Sequence, residues 1–146
     1  MSIDRVEDCE RLFRSVKLKP EFIGQDGRAK TSAFNDRNKR PSVDRAQLIG
    51  NEPTKTNLFL PGDYVLQLIT SDVRAIPPIE EKNDKGRNVS DNGVHNADVE
   101  PVIEGHQPAH AEIFLTRLPE DGLETNSGAF QKLKVRLAEI AVVLKP

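Results

Sequence analysis

Tyr64-Val65-Leu66-Gln67-Leu68-Ile69-Thr70 is the run whose reading decides the fold class. Aromatic, β-branched and aliphatic residues follow Pro61-Gly62-Asp63, a turn tripeptide, which predicts a strand entered from a turn. Leu58-Phe59-Leu60, on the far side of that turn, reads as a second strand-forming run, and Val73 to Ile76 as an extension of the first beyond a bulge.

Working outward, Leu12 to Val16, Thr31 to Phe34 and Ala109 to Leu115 are further short extended runs. Gln25-Asp26-Gly27-Arg28 is a turn, since Gly supplies the positive φ that tight turns require. Val6, Cys9, Leu12 and Phe13 have helical spacing after Asp4, predicting a short N-terminal helix with Cys9 on its apolar side. Pro41 to Ile49 reads as one or two helical turns capped by Ser42. At the end of the chain, Phe130, Leu133, Leu137, Ile140, Ala141 and Leu144 form one apolar stripe on a helix of about four turns. Several strand runs and one terminal helix, without βαβ alternation, predict an α+β fold. The expected architecture is a small, mostly antiparallel sheet packed by a C-terminal amphipathic helix, with long loops.

The 146 residues suit a single domain over 1–146. Hydrophobic residues make up 36% and charged residues 30%, with ten Pro and nine Gly, so long irregular segments are expected. Residues 77–105 read as a flexible acidic loop, opened by Pro77-Pro78 and rich in Glu, Asn, Asp and Gly. The single cysteine excludes an intramolecular disulfide. No stretch approaches the ~20 apolar residues of a membrane span, and the acidic N-terminus lacks the apolar core of a signal peptide. A cytoplasmic protein without membrane contact follows as the expectation.

Charge is segregated. Residues 11–45 hold ten Lys/Arg against four Asp/Glu, and residues 80–124 hold four against eleven. Either the two segments face each other, or the basic one forms a face for phosphate or nucleic acid.

All three histidines fall between positions 95 and 110. His106 and His110 are four apart, but Pro108 between them opposes a helix. On a strand, His110 and Glu112 share a face, and such a pair can run acid–base chemistry or, with His106, hold a metal; Asp98, Glu100 and Glu104 add oxygen donors. The bland alternative is a hydrogen-bonded His110 with His95 and His106 in solvent. Arg14, between Phe13 and Val16, is half-buried if extended and then needs a partner. That partner is an anionic ligand, which the guanidinium fork suits, or a carboxylate such as Asp44 or Glu112. Cys9 reads as a core residue.

The blocks Phe22…Asp26-Gly27-Arg28…Ser32-Ala33-Phe34…Ser42-Val43-Asp44-Arg45 and Pro108-Ala109-His110-Ala111-Glu112-Ile113 resemble a family of small uncharacterised bacterial proteins, across about half of the chain. That resemblance implies a stand-alone bacterial domain and no particular activity. Arg14, Ser32 and Glu112 occur in the order of the arginine, serine and glutamate of ADP-ribosyltransferase-like domains, and the likeness implies a nucleotide-dependent transferase. The Ser-Thr-Ser block is missing, and His110 stands where those domains carry Glu or Gln.

Two functions follow. The favoured one is a non-catalytic accessory or protein-interaction module, on its polar composition and incomplete catalytic motifs. The alternative is a small nucleotide- or metal-dependent enzyme in which Arg14 clamps an anion, Ser32 positions it, and His110 with Glu112 is the acid–base or metal pair. The alternative requires these four residues to converge. No particular cofactor is specified.

Overall fold

The computed structural model describes residues 5–80, 94–102, 107–118 and 127–146. Seven strands form one sheet: β1 (Arg11–Val16), β2 (Ser42–Arg45), β3 (Tyr64–Ile69), β4 (Ile79–Glu80), β5 (Val94–Pro101), β6 (His110–Leu118) and β7 (Val142–Leu144). Their order is β4-β5-β6-β2-β1-β3-β7, and every neighbouring pair is antiparallel. Two α-helices among the described residues, α1 (Thr70–Arg74) and α2 (Ser127–Ile140), add helical content to the sheet.

Side chains alternate across a strand, and the burial pattern shows which face is which. Leu12, Val43, Leu66, Leu68, Ala111, Ile113, Ala97 and Val99 point to one side and join the main core. Phe130, Leu133, Leu137 and Ala138 of α2 are buried in the same cluster. The sheet is curled: α1, leaving the end of β3, reaches β5 across three intervening strands, where Arg74 Nε donates to Asp98 at 2.8 Å. A smaller apolar cluster of Phe13, Ala46 and Val65, joined by Ile49, Phe59 and Leu144, covers part of the opposite face.

Several elements depart from expectation. Thr31–Phe34 is a 3-10 turn rather than a strand. Residues 5–10 form no helix; their chain turns into β1, and Cys9 is exposed rather than core. Ser42–Arg45 is strand, with the helical part confined to a 3-10 turn at Ala46–Ile49. Val73 lies in α1, and Leu144 belongs to β7 rather than to the helix stripe. Leu58 to Leu60 is loop, with Leu58 at φ 65.

The acidic loop expected over 77–105 contains two strands, β4 and the eight-residue β5. In β5 the inward row is His95, Ala97, Val99 and Pro101, and the outward row is Val94, Asn96, Asp98 and Glu100. The mostly polar outward row hid the alternation. His95, expected in solvent, is fully buried. No helix among the described residues is long and apolar enough to cross a membrane.

Candidate functional site

Register fixes where each candidate side chain projects. Phe13 pairs with Asp44, and Asp44 pairs with His110, so these three form one row on the outer face. Ser42 pairs with Glu112 in the next row of that face. Arg14, one residue after Phe13, turns to the core side.

There Arg14 is satisfied by backbone. Its Nε donates to the Ala33 carbonyl at 2.8 Å, Nη1 to the Ser42 carbonyl at 2.8 Å and Nη2 to the Asn35 carbonyl at 3.0 Å. The guanidinium also stands 6.0 Å from the Phe34 ring centroid. Burial lowers its pKa, opposed by the charge of Asp36. The partner expected for a half-buried Arg14 is therefore a set of carbonyls rather than the Asp44 or Glu112 carboxylate.

Ser32, on the 3-10 turn, lines an open groove of about 800 Å³ between residues 24–32 and α2, whose polar rim includes Asp26, Arg28, Lys30 and Glu139. Glu112 accepts from Arg40 Nε at 2.9 Å; Arg40 also contacts the Glu100 carboxylate and stacks over Phe114, 4.6 Å from the ring centroid. Thus His110 and Glu112 share a face, while Arg14 and Ser32 lie elsewhere. The four residues do not converge, nor does the set Arg14, Ser32 and Glu112. His106 lies outside the described residues, and among those described no group of three or more His, Cys, Asp or Glu is placed to hold a metal.

Several cations of the basic segment are likewise engaged, on both faces. Arg11 donates to Gln67 and Asn51, Lys17 to Asp63, and Arg45 to Glu10. Arg40 pairs with two carboxylates of the acidic segment.

What the sheet assembles around His110 is a different set. Ser42 Oγ and His110 Nε2 are 3.2 Å apart across the β2–β6 pairing. Asp44, register partner of His110, is buried, and its Oδ2 accepts the Asn57 N–H at 2.6 Å. A cavity of about 130 Å³ opens here, lined by Phe13, Ser42, Asp44, Asn57, Leu58 and His110 among others. With the His110 proton on Nδ1, the Ser42 hydroxyl donates to Nε2, the arrangement of a serine beside its base. In the sequence Ser42 read only as a helix cap and Asp44 only as a partner for Arg14, because Pro41 to Ile49 read as helical. The signal was the i, i+2 spacing, which places both on one side only if the segment is extended.

Burial pushes the Asp44 carboxyl above the ordinary carboxylate range, against the Asn57 N–H and the charge of His110, which pull it down. The folded state therefore holds that proton more tightly than the unfolded chain. Asp44 favours folding below the unfolded value of about 3.9, and this contribution is lost as pH rises through the raised folded value. Asp44→Asn is expected to raise Tm at pH 7 and to raise it less at pH 4, read by differential scanning calorimetry. An equal change at both pH values would rule out the charge as the cause.

Comparison of the chain with protein-family models, curated proteins and solved structures found no match.

Proposed function

We propose that this chain is an interaction module that docks an extended protein segment through the outward apolar residues of β7 and of the 57–60 loop. The observation that carries the reading is a set of large apolar side chains held outward: Leu58, Leu60 and Val142 are 79%, 58% and 53% exposed. Phe59, between the two leucines, and Leu144 of β7 both pack against the small outer cluster of Phe13, Ala46 and Val65, and Val142 is two residues from Leu144 on the same face. Leu58 occupies the left-handed backbone region at φ 65, a conformation that costs a non-glycine residue about 1 kcal/mol or more. Strain spent on presenting a leucine to water suits a contact residue.

The occupant is an extended segment with apolar side chains at alternate positions. β7 ends the strand order and pairs with β3 on one side, so its other edge offers backbone N–H and C=O groups to an added strand. Exposed Lys145, at the end of that strand, favours an acidic residue beyond the apolar ones.

Affinity capture with quantitative mass spectrometry tests this. A partner enriched on the wild-type bait is expected to fall about tenfold or more on a Leu58→Asp, Leu60→Asp bait of unchanged Tm, since hot-spot losses reach about 2 kcal/mol. Identical capture by both baits would remove the loop from any interface.

A further inference from the structure

We infer that Ser42 is an acylatable nucleophile, with His110 as its base, in a site for esters of short acyl groups beneath the Leu58 loop. The inference shares Leu58 with the proposed docking surface but rests on the outer row of β2 and β6.

Nucleophilic serine needs a base within hydrogen-bond reach, held on a rigid frame. Ser42 and His110 project from adjacent antiparallel strands, with Ser42 pairing Glu112 and Asp44 pairing His110 in the ladder. Their reacting atoms are 3.2 Å apart. The Asp44 carboxylate stands in the same row as the imidazole, so the imidazolium that forms during attack meets a negative charge. The backbone beneath Ser42 is anchored from the other face, where its carbonyl accepts from Arg14 Nη1. Such anchoring keeps the nucleophile from drifting.

The cavity limits the substrate. At about 130 Å³ it holds roughly four waters' worth of volume, enough for an acetyl or propionyl group. Phe13 and Leu58 give it apolar lining suited to a short alkyl chain, while its polar members include Ser42, Asp44, Asn57 and His110.

The chemistry closes with water as the only co-reactant. Ser42 Oγ attacks the acyl carbon as its proton passes to His110 Nε2. The ester C–O bond breaks, and the alcohol leaves with that proton. Water then attacks acyl-Ser42 and gives a proton to His110, which returns it to Ser42 Oγ as the carboxylic acid departs. Ester and water become acid and alcohol.

The full-length protein is treated with a fluorophosphonate probe and assayed with p-nitrophenyl acetate and p-nitrophenyl octanoate. The expected result is one label, mapped by peptide mass spectrometry to Ser42 in the unaltered chain, and hydrolysis of the acetate ester. Ser42→Ala is expected to reduce that hydrolysis to the uncatalysed rate, and His110→Ala to slow it by about 100-fold. Melting curves establish that both variants fold; mapping in the unaltered chain needs neither. Absence of label, label on another residue, unchanged hydrolysis by Ser42→Ala, or octanoate turned over as fast as acetate would each overturn the assignment.

Discussion

Glu10→Ala is expected to lower folding stability by about 3–5 kcal/mol, the usual result of stripping one member from a buried ion pair. Arg45 is 0% exposed and Glu10 is 1% exposed. The pair is bidentate, with Arg45 Nε and Nη2 each 2.8 Å from a different Glu10 oxygen. The same carboxylate accepts the Glu7 N–H at 2.6 Å, while the Glu10 backbone carbonyl accepts from the N–H and the hydroxyl of Thr70. One residue thereby ties the segment before β1 to the end of β2 and the start of α1. Alanine leaves a guanidinium in the core without its counter-charge, and desolvation of that charge sets the magnitude. Urea denaturation measures it. The joint replacement Glu10→Leu, Arg45→Met is expected to recover most of the loss, because two apolar side chains of similar volume need no counter-charge. If the double variant were as unstable as the sum of the two singles, packing rather than charge would be the cause.

That pair shows why part of this fold was legible in the sequence and part was not. β3 and β6 combine strand-forming residues over six and nine positions, long enough for local composition to reveal them. The apolar stripe through Phe130, Leu133 and Leu137 likewise marks α2. β5 and β2 were missed for a different reason. In β5 three of the four outward residues, Asn96, Asp98 and Glu100, are polar, and its inward row includes a histidine, so composition suggested solvent. β2 has four residues, and three of them, Val43, Asp44 and Arg45, are buried, a pattern with neither helical nor strand period. Its structure comes from long-range pairing, with β1 on one side and β6 on the other. The Leu58 to Leu60 run shows the reverse failure. Strand-forming residues there are held as a loop by local bonds, Phe59 N–H to the Thr56 carbonyl and Leu60 N–H to Asp63 Oδ2. The candidate site inherits these limits. His110 was legible as a polar residue opening a strand, but Ser42 and Asp44 acquire meaning only once β2 lies beside β6.

The second large effect is expected at Arg14, and it separates two roles that its sequence context left open. If Arg14 clamped an anion, removing it would abolish binding and leave stability within about 0.5 kcal/mol, as for a surface site away from structural features. The observed contacts point the other way. The three carbonyls of Ala33, Asn35 and Ser42 converge on one guanidinium, so a single side chain supplies donors to the 3-10 turn and to β2 from β1. Arg14→Leu keeps the apolar stem and removes every donor. With a penalty of about 1–3 kcal/mol for each buried acceptor left unpaired, and the Asn35 carbonyl open to water, a loss of about 3 kcal/mol is expected by urea denaturation. Arg14→Lys should restore little of it, because an ammonium is a point charge on a flexible stem and cannot reproduce a planar fork spanning three acceptors. A lysine variant as stable as the parent would mean that charge alone satisfies the site. Because the Ser42 carbonyl is one of the three acceptors, the same substitution is expected to loosen β2 against β1 and with it the Ser42–His110 spacing on the opposite face. Arg14 would then influence chemistry at the outer face without ever touching a ligand.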